Sequence, residues 1–234
     1  MQRQNFASAG WRKVYNTMMK GDWILLFDVY SFIFWSITYI ECIRVGIKQK
    51  TYCVPLLAFY MNIVWESTCF SEVLTAQAGF YWYVYYGIIT LLDAGILYTI
   101  LKYRDTSSIS KFYIKNIVIF IVVFAIFIFL KNCISSWKLY FAYIDNLIMS
   151  GLFILMYYKR GSSKGQSMAI AITKFLGTLF PILIGVITRK HFTMSIGFFI
   201  ILLDVAYIIL LYRTIQAEKA VVLSPKNKKK QNPS

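Results

Sequence analysis

An asparagine and a glutamate lie four residues apart in the stretch 55–66, as Asn62 and Glu66, with Trp65 beside the acid. Residues at this spacing share one face of a helix, so the amide can orient the carboxyl. The surrounding run is apolar and long enough to cross a bilayer, which places both side chains at about mid-depth. A carboxyl at that depth is costly and marks a candidate functional site. In an oily site, a neutral carboxyl can donate a proton.

Other acids also fall inside apolar runs, although the chain has only 10 acidic residues in 234. Asp93, Asp145 and Asp204 are predicted at depth together with Glu66, and Lys174 is the only basic residue predicted at similar depth. We expect these carboxyls to be largely protonated, because desolvation disfavours the charged form.

Polar neighbours for these acids can be read from helical spacing. Asn146 follows Asp145, and Tyr207 lies one turn after Asp204. Each acid taken alone could simply join two helices by hydrogen bonds. Several deep acids in one small bundle favour a shared polar pocket, and Trp65 could line it, because a ring face attracts a cation.

Seven apolar runs of about 20 residues separate these positions and predict an all-α membrane protein, a seven-transmembrane helical bundle. A β-barrel is excluded, because its strands alternate over about 10 residues. The predicted spans are 23–43, 53–73, 80–101, 113–130, 137–157, 168–187 and 193–212. Lysine and arginine are more frequent after spans 1, 3, 5 and 7, which places the N-terminus outside and the C-terminus in the cytosol.

Three further segments complete the predicted organisation. Residues 1–22 carry apolar and basic residues at helical spacing and predict an interfacial amphipathic helix before the bundle at 23–213. Residues 214–234 form a lysine-rich cytoplasmic tail, which we expect to be disordered from about 217. Leu-Leu-Asp recurs in spans 3 and 7, which suggests a 3+1+3 parallel pseudo-repeat, although chance similarity between apolar helices explains it equally well.

Composition narrows the function further. The net charge of +15 and the 59% hydrophobic content fit positive loops at a lipid surface and argue against a nucleic-acid partner. The four cysteines are scattered, with neither metal-site nor disulfide spacing. No aspartate-rich diphosphate motif, Walker loop, Gly-x-Ser-x-Gly or His-Glu-x-x-His is present, so no metal or other cofactor is expected.

The pattern as a whole resembles the membrane-integrated terpene cyclases of fungal meroterpenoid and indole-diterpene pathways and their bacterial relatives. The resemblance rests on seven spans, the motif Asn62-x-x-Trp65-Glu66 in the second, Asp93 in the third and Asp204 in the last, and it covers about residues 23–213. It implies cyclisation of a linear prenyl or epoxyprenyl chain without metal, through a carbocation. The partners it implies are a lipophilic prenylated compound and the bilayer.

The resemblance also implies roles for single residues. Glu66 would be the general acid that protonates a terminal epoxide or alkene, and Asp204 the second catalytic acid, which would assist protonation or oppose the positive charge. Asn62 would orient Glu66, and Trp65 would line the path of the cation. The other substrate-binding residues, predicted from depth and placement, are Asp93, Asp145, Asn146 and Tyr207.

Other functions remain compatible with the sequence. A seven-helix, SWEET-like or proton-coupled transporter would also place acids at mid-membrane. Against it, neither half contains a Pro-Gln pair, and Glu66 has no counterpart in span 6. Span 7 has no lysine for a retinal Schiff base, which disfavours a rhodopsin-like receptor. The abundance of Lys, Ile, Tyr and Phe suggests an AT-rich bacterial genome and therefore the bacterial plasma membrane.

Overall fold

A computed structural model describes residues 22–75, 79–104, 108–134 and 137–223, and within these ranges it contains seven α-helices and no strand. The predicted all-α membrane bundle is confirmed. The interfacial helix predicted for 1–22 lies outside the described residues, except for Asp22, where the first helix begins. The helices are α1 Asp22–Gln49, α2 Leu56–Thr75, α3 Phe80–Lys102, α4 Ile109–Cys133, α5 Trp137–Arg160, α6 Met168–Ile187 and α7 His191–Leu223.

Six of the seven helices are long and apolar enough to cross a membrane, and α2 is the exception. Its 20 residues include Asn62, Glu66 and Glu72, which lower its mean hydropathy. The expectation that Glu66 lies in an apolar run long enough to cross a bilayer is therefore not met by the composition of α2. Contacts with neighbouring helices hold α2 in the bundle instead, because it packs against α3, α4 and α5.

Contacts between the helices close a ring. Going round it, α1 contacts α6, α6 contacts α7, α7 contacts α5, α5 contacts α2, α2 contacts α3, and α3 returns to α1. Helix α4 packs on the outside, against α2 and α5. Its outward side chains, such as Ile114, Ile121 and Phe129, are exposed and apolar, as expected for a surface that meets lipid.

The ring is compatible with the predicted 3+1+3 repeat. Exchanging α1 with α5, α2 with α6 and α3 with α7 reproduces the same six contacts around it. Packing of this kind is what a parallel duplication would produce. The repeat and the orientation of the termini remain predictions, because neighbouring helices alone fix neither.

The last helix runs well past the predicted end of span 7. Helix α7 has 33 residues and ends at Leu223. The expectation of disorder from about 217 is therefore wrong for residues 218–223, which continue the helix. The backbone hydrogen bonds of a helix can carry it beyond its apolar section, so a drop in hydropathy does not mark its end. The remaining tail, 224–234, lies outside the described residues.

A proline in α6 fixes the contact between α6 and α1. Pro181 has no N–H, so the carbonyl of Gly177 loses its partner within the helix. The Ser31 hydroxyl of α1 donates to that carbonyl at 2.7 Å. Gly177 also lets the two helices approach closely, because a Cβ there would lie 2.8 Å from Cδ1 of Trp35. The contact holds the Trp35 ring between α1 and α6.

Candidate active site

Glu66 lies on the inner face of α2 and is 8% exposed. The Tyr39 hydroxyl of α1 donates a hydrogen bond of 2.9 Å to Oε1 of Glu66, whereas Oε2 is buried and has no hydrogen-bond partner. None of the ion pairs within the described ranges involves Glu66. The carboxyl is therefore held at one oxygen and free at the other.

Asn62 orients this carboxyl through an intermediate. The Asn62 amide donates to the Tyr39 hydroxyl, which in turn donates to Glu66. The sequence predicted that Asn62 would act on Glu66 from one turn away, and the spacing in α2 agrees with this. The tyrosine that joins them comes from another helix, at a distance in sequence that no local pattern reveals.

Asp93 of α3 lies beside Glu66 and interacts with it electrostatically. It is 1% exposed, and neither carboxyl oxygen makes a hydrogen bond with the described part of the chain. A cavity of about 10 Å³ next to Asp93 is also lined by Tyr39 and Asn62. This volume is about the minimum that a single water molecule needs. The two acids thus form one buried polar cluster.

Glu66 lies in the wall of a cavity of about 170 Å³ at the centre of the ring. Five helices line it, and aromatic rings make up much of its surface. Each of the five helices contributes at least one side chain with a polar group. The lining residues are Ser31, Trp35, Asn62, Trp65, Glu66, Tyr85, Tyr86, Ala142, Tyr143, Asp145, Asn146, Thr178 and Pro181.

Asp145 and Asn146 line the same cavity from α5. Asn146 is fixed at both ends of its amide, since it donates to the Ala142 carbonyl at 2.9 Å and accepts from Thr178 at 3.2 Å. Asp145 is 2% exposed, and its Oδ1 has no hydrogen-bond partner. The structure therefore places Glu66, Asn62, Trp65, Asp145 and Asn146 around one space.

Asp204 of α7 is not among the residues that line the cavity. Its Oδ1 accepts a hydrogen bond of 2.6 Å from Nζ of Lys174, and the same ammonium donates to Ser150 at 2.8 Å. Lys174 is fully buried and Asp204 is 2% exposed. Lys174, the only basic residue predicted at this depth, therefore pairs with Asp204.

Tyr207 does not bond to Asp204 as its spacing predicted. Its hydroxyl is buried and has no hydrogen-bond partner, and Oδ2 of Asp204 has none either. The ring packs on Phe153, with centroids 5.5 Å apart. Spacing of one turn places two residues on one face of a helix, but their side chains can still adopt different rotamers. In this structure the Tyr207 ring packs on Phe153, and its hydroxyl does not bond to Asp204.

Trp65 stands between the cavity and the outer packing of the bundle. Its ring stacks on Phe141, with centroids 5.7 Å apart and an interplanar angle of 15°, and meets Trp137 edge to face at the same distance. These contacts hold the ring in place. Trp65 is therefore both a packing residue and part of the cavity wall, and the sequence had left both roles open.

Sequence reasoning missed several residues of this region. Tyr39, Trp35 and Thr178 belong to helices whose composition gives no sign of a site. A serine, Ser150, completes the surroundings of Lys174. The one available signal was Lys174 itself, a lone lysine in an apolar run that needs a buried partner.

The fold and the site together define an integral, multi-pass membrane protein with a largely aromatic cavity and a buried carboxyl in its wall. Within the described ranges, no group of three or more His, Cys, Asp and Glu side chains is placed to hold a metal ion. Such a site suits an apolar ligand that meets a few fixed polar groups.

Comparison with known proteins gives the family. The model of the Pyr4-like transmembrane terpene cyclases matches residues 19–217, so this chain belongs to that family. Among curated proteins it is similar to the Pyr4-family terpene cyclase mfmH of Annulohypoxylon moriforme, with 27% identity over 167 residues. The similarity covers 65% of this chain and 65% of that protein. The resemblance found in the sequence is confirmed.

Proposed function

We propose that this protein is an integral-membrane terpene cyclase in which Glu66 starts the reaction by protonating a linear prenyl chain. One observation carries the proposal: in a chain of this family, a buried carboxyl in the wall of an aromatic cavity is fixed at Oε1 by Tyr39 and free at Oε2. Because Oε1 accepts a hydrogen bond, Oε2 is the oxygen that carries the transferable proton.

The surroundings favour a protonated Glu66. Burying an ionised carboxylate is very costly unless a cation or several hydrogen bonds compensate it. Glu66 accepts a hydrogen bond from Tyr39 and has no cationic partner among the described residues, and its carboxyl neighbour Asp93 would repel a negative charge. A neutral acid in a dry site is the state from which a proton can be donated to a weak base such as an epoxide oxygen or an alkene.

The reaction balances without an oxidant or a reductant. The O–H bond of Glu66 breaks, the proton goes to the epoxide oxygen or to the terminal alkene, and the C–O or π bond opens to give a carbocation. Internal alkenes attack in turn and form the rings. Loss of a proton ends the sequence, so the product is an isomer of the substrate, and Glu66 must regain a proton before the next cycle.

The cavity wall suits such an intermediate. The faces of Trp35, Trp65, Tyr85 and Tyr86 line it, and aromatic faces stabilise a cation by their quadrupoles. The apolar and aromatic side chains around the cavity limit the water that could trap a cation. We therefore assign Trp65 to the path of the cation and Asp145 and Asn146 to contacts with the substrate.

Asp204 acts on this reaction through charge. It compensates the Lys174 ammonium, which would otherwise repel a carbocation in the nearby cavity. Asp204 thus opposes positive charge, as the resemblance implied, without itself lining the cavity. Asp93 assists Glu66 as its direct neighbour. Contact between Tyr207 and the substrate stays a prediction.

Several features of the proposal concern the wider reaction. The chemistry is class II-like, started by a proton, and Glu66 supplies this proton without a metal ion. The product would belong to terpenoid biosynthesis, with a meroterpenoid among the candidates. The bacterial plasma membrane stays a prediction from composition, and the curated relative named above is fungal. Family membership favours the cyclase over the transporter that the sequence left open.

The test uses membranes from cells that express the full chain. They are supplied with prenylated phenols carrying a terminal alkene or a terminal epoxide, and products of unchanged mass are separated by chromatography. We expect cyclic isomers from the wild type and none from Glu66→Gln, because the amide keeps the shape but has no acidic proton. Immunoblotting shows that both proteins are present in equal amounts. Full activity of Glu66→Gln would refute the assignment of the acid.

A further inference from the structure

The central cavity borders an open groove at one end of the bundle. The groove has a volume of about 580 Å³ and lies where α2 ends and α3 and α5 begin. Four residues belong to the walls of both spaces: Trp65, Tyr86, Ala142 and Tyr143. Because they share this wall, the groove is adjacent to the cavity into which Glu66 faces.

The cavity and the groove differ in volume, and so in how much of a substrate each can hold. Binding sites for small molecules usually measure about 300–1,000 Å³. The cavity alone, at about 170 Å³, is smaller than this range, whereas the groove adds about 580 Å³. A prenylated compound that reaches Glu66 must therefore leave part of itself in the groove.

The mouth of the groove carries charge that the inner cavity lacks. Glu72 and Lys138 line it, and the Glu72 carboxylate bonds to the ammonium groups of both Lys138 and Lys131. One carboxylate thus faces two cations, which leaves one positive charge in excess among these three groups. Both lysines are partly exposed, at 54% and 38% of their side chains, so a ligand can reach them.

Helix geometry sets the distance between the mouth and the acid. Glu66 and Glu72 lie on the same helix, six residues apart. At 1.5 Å per residue this separation is about 9 Å along the axis. A compound with its reacting end at Glu66 and its other end at the mouth would span about this length in its folded form.

A second groove at the opposite end of α2 is the obvious competitor. It measures about 360 Å³ and is also cationic, with Lys115, Lys159 and Arg160 in its wall. None of its lining residues belongs to the wall of the central cavity. Arg160 is moreover occupied, because it donates to the backbone carbonyls of Tyr52 and Lys164.

We propose that the groove beside Glu72 and Lys138 is the access route and the binding site for the uncyclised head of the substrate. The head is an oxygen-bearing, hydrogen-bond-accepting or anionic group, which replaces Glu72 as a partner of Lys138. The prenyl tail passes Trp65 and Tyr86 and reaches Glu66. The inference rests on the proposed function for the identity of the reacting end.

Photolabelling locates the head without requiring turnover. The probe is the farnesyl ether of a hydroxybenzoate whose ring carries a diazirine. Membranes containing the full chain are irradiated with it, and the labelled peptides are mapped by mass spectrometry. We expect adducts in residues 69–86 and 137–143 that excess unlabelled farnesyl hydroxybenzoate suppresses. Adducts centred on Leu57 and Lys115, adducts that resist competition, or absence of adducts would each overturn the proposal.

Two matched variants test the charge. Lys138→Glu should lower labelling of the groove by about tenfold, equivalent to about 1.4 kcal/mol of binding free energy. Lys115→Glu makes the same charge change in the other groove. It should leave labelling of the groove beside Lys138 unchanged. The methyl ester of the probe, which has no carboxylate, should lose much less on Lys138→Glu than the free acid does. An equal loss for both probes would refute the role of charge.

The outcome separates this inference from the proposed function. Labelling of the groove without cyclisation of any compound would keep the binding site and refute the cyclase. Cyclic products together with labelling at the opposite groove would keep the cyclase and refute this route.

Discussion

Tyr39 and Glu66 are joined by a hydrogen bond of 2.9 Å between helices α1 and α2, and Asn62 holds the same tyrosine from the other side. The bond fixes one carboxyl oxygen and leaves the other free. Glu66 also lines the central cavity of the helix ring. The orientation of the Glu66 carboxyl therefore depends on Tyr39, which neither lines the central cavity nor belongs to the motif.

Removing the hydroxyl of Tyr39 should impair the reaction while the protein still folds. Tyr39→Phe keeps the ring and its edge-to-face contact with Trp35 but leaves Glu66 without its donor. We expect kcat to fall by about tenfold, which corresponds to about 1.4 kcal/mol on the barrier. The measurement is the rate of formation of cyclic product in membranes with matched protein content.

Tyr60→Phe is the control for that change. It also removes a buried hydroxyl from a helix–helix hydrogen bond, at 2.9 Å from Asn116, but this bond joins α2 to α4 outside the ring. We expect a stability cost of about 1 kcal/mol and an unchanged kcat. If both variants lost activity equally, the role of Tyr39 would be general packing.

Mutations of Lys174 and Asp204 should have strongly non-additive effects on stability, because the two residues form a buried ion pair. Asp204→Asn leaves a buried ammonium without its carboxylate, and breaking a buried pair in this way costs about 3–5 kcal/mol. We expect at least about tenfold lower activity as well, because an uncompensated cation opposes a carbocation. Thermal unfolding in detergent and product assays measure the two effects.

The double variant Lys174→Met with Asp204→Asn removes both charges. We expect it to recover most of the lost stability and part of the activity, since neither charge is then left alone. If Asp204 itself delivers a proton, the double variant will stay as inactive as Asp204→Asn.

Gly177 should be sensitive to the smallest enlargement. A Cβ at this position would lie 2.8 Å from Trp35, so Gly177→Ala must displace a ring of the cavity wall. We expect a loss of about 1–3 kcal/mol, typical of overpacking. Gly151→Ala is the matched control, because its Cβ would meet nothing within 4 Å, and a mid-helix alanine should raise stability by up to about 1 kcal/mol. Thermal unfolding compares the two.

Trp65→Leu tests the aromatic wall. Leucine keeps an apolar side chain but removes the ring face, so a cation passing this point loses about 0.5–2 kcal/mol of stabilisation. We expect more product released at an early stage of cyclisation and a lower kcat, read from the product distribution. An unchanged distribution would assign Trp65 to packing on Phe141 alone.

The sequence predicted the bundle because membrane helices are recognised by the length of their apolar runs, and this signal needs no tertiary information. It was weakest for α2, where Asn62, Glu66 and Glu72 lower the hydropathy. It also misplaced the end of α7, because a helix can extend beyond its apolar section.

By itself, the sequence determined the class of protein, the motif Asn62-x-x-Trp65-Glu66 and the presence of several deep acids, since residue type and helical spacing are local properties. Only the tertiary structure decided which of these acids share a space. It placed Asp145 in the wall of the same cavity as Glu66, and it paired Asp204 with Lys174 in a buried ion pair. The physical reason is that partners across helices, such as Tyr39 for Glu66, depend on how the faces of different helices meet, and no spacing within one helix encodes that meeting.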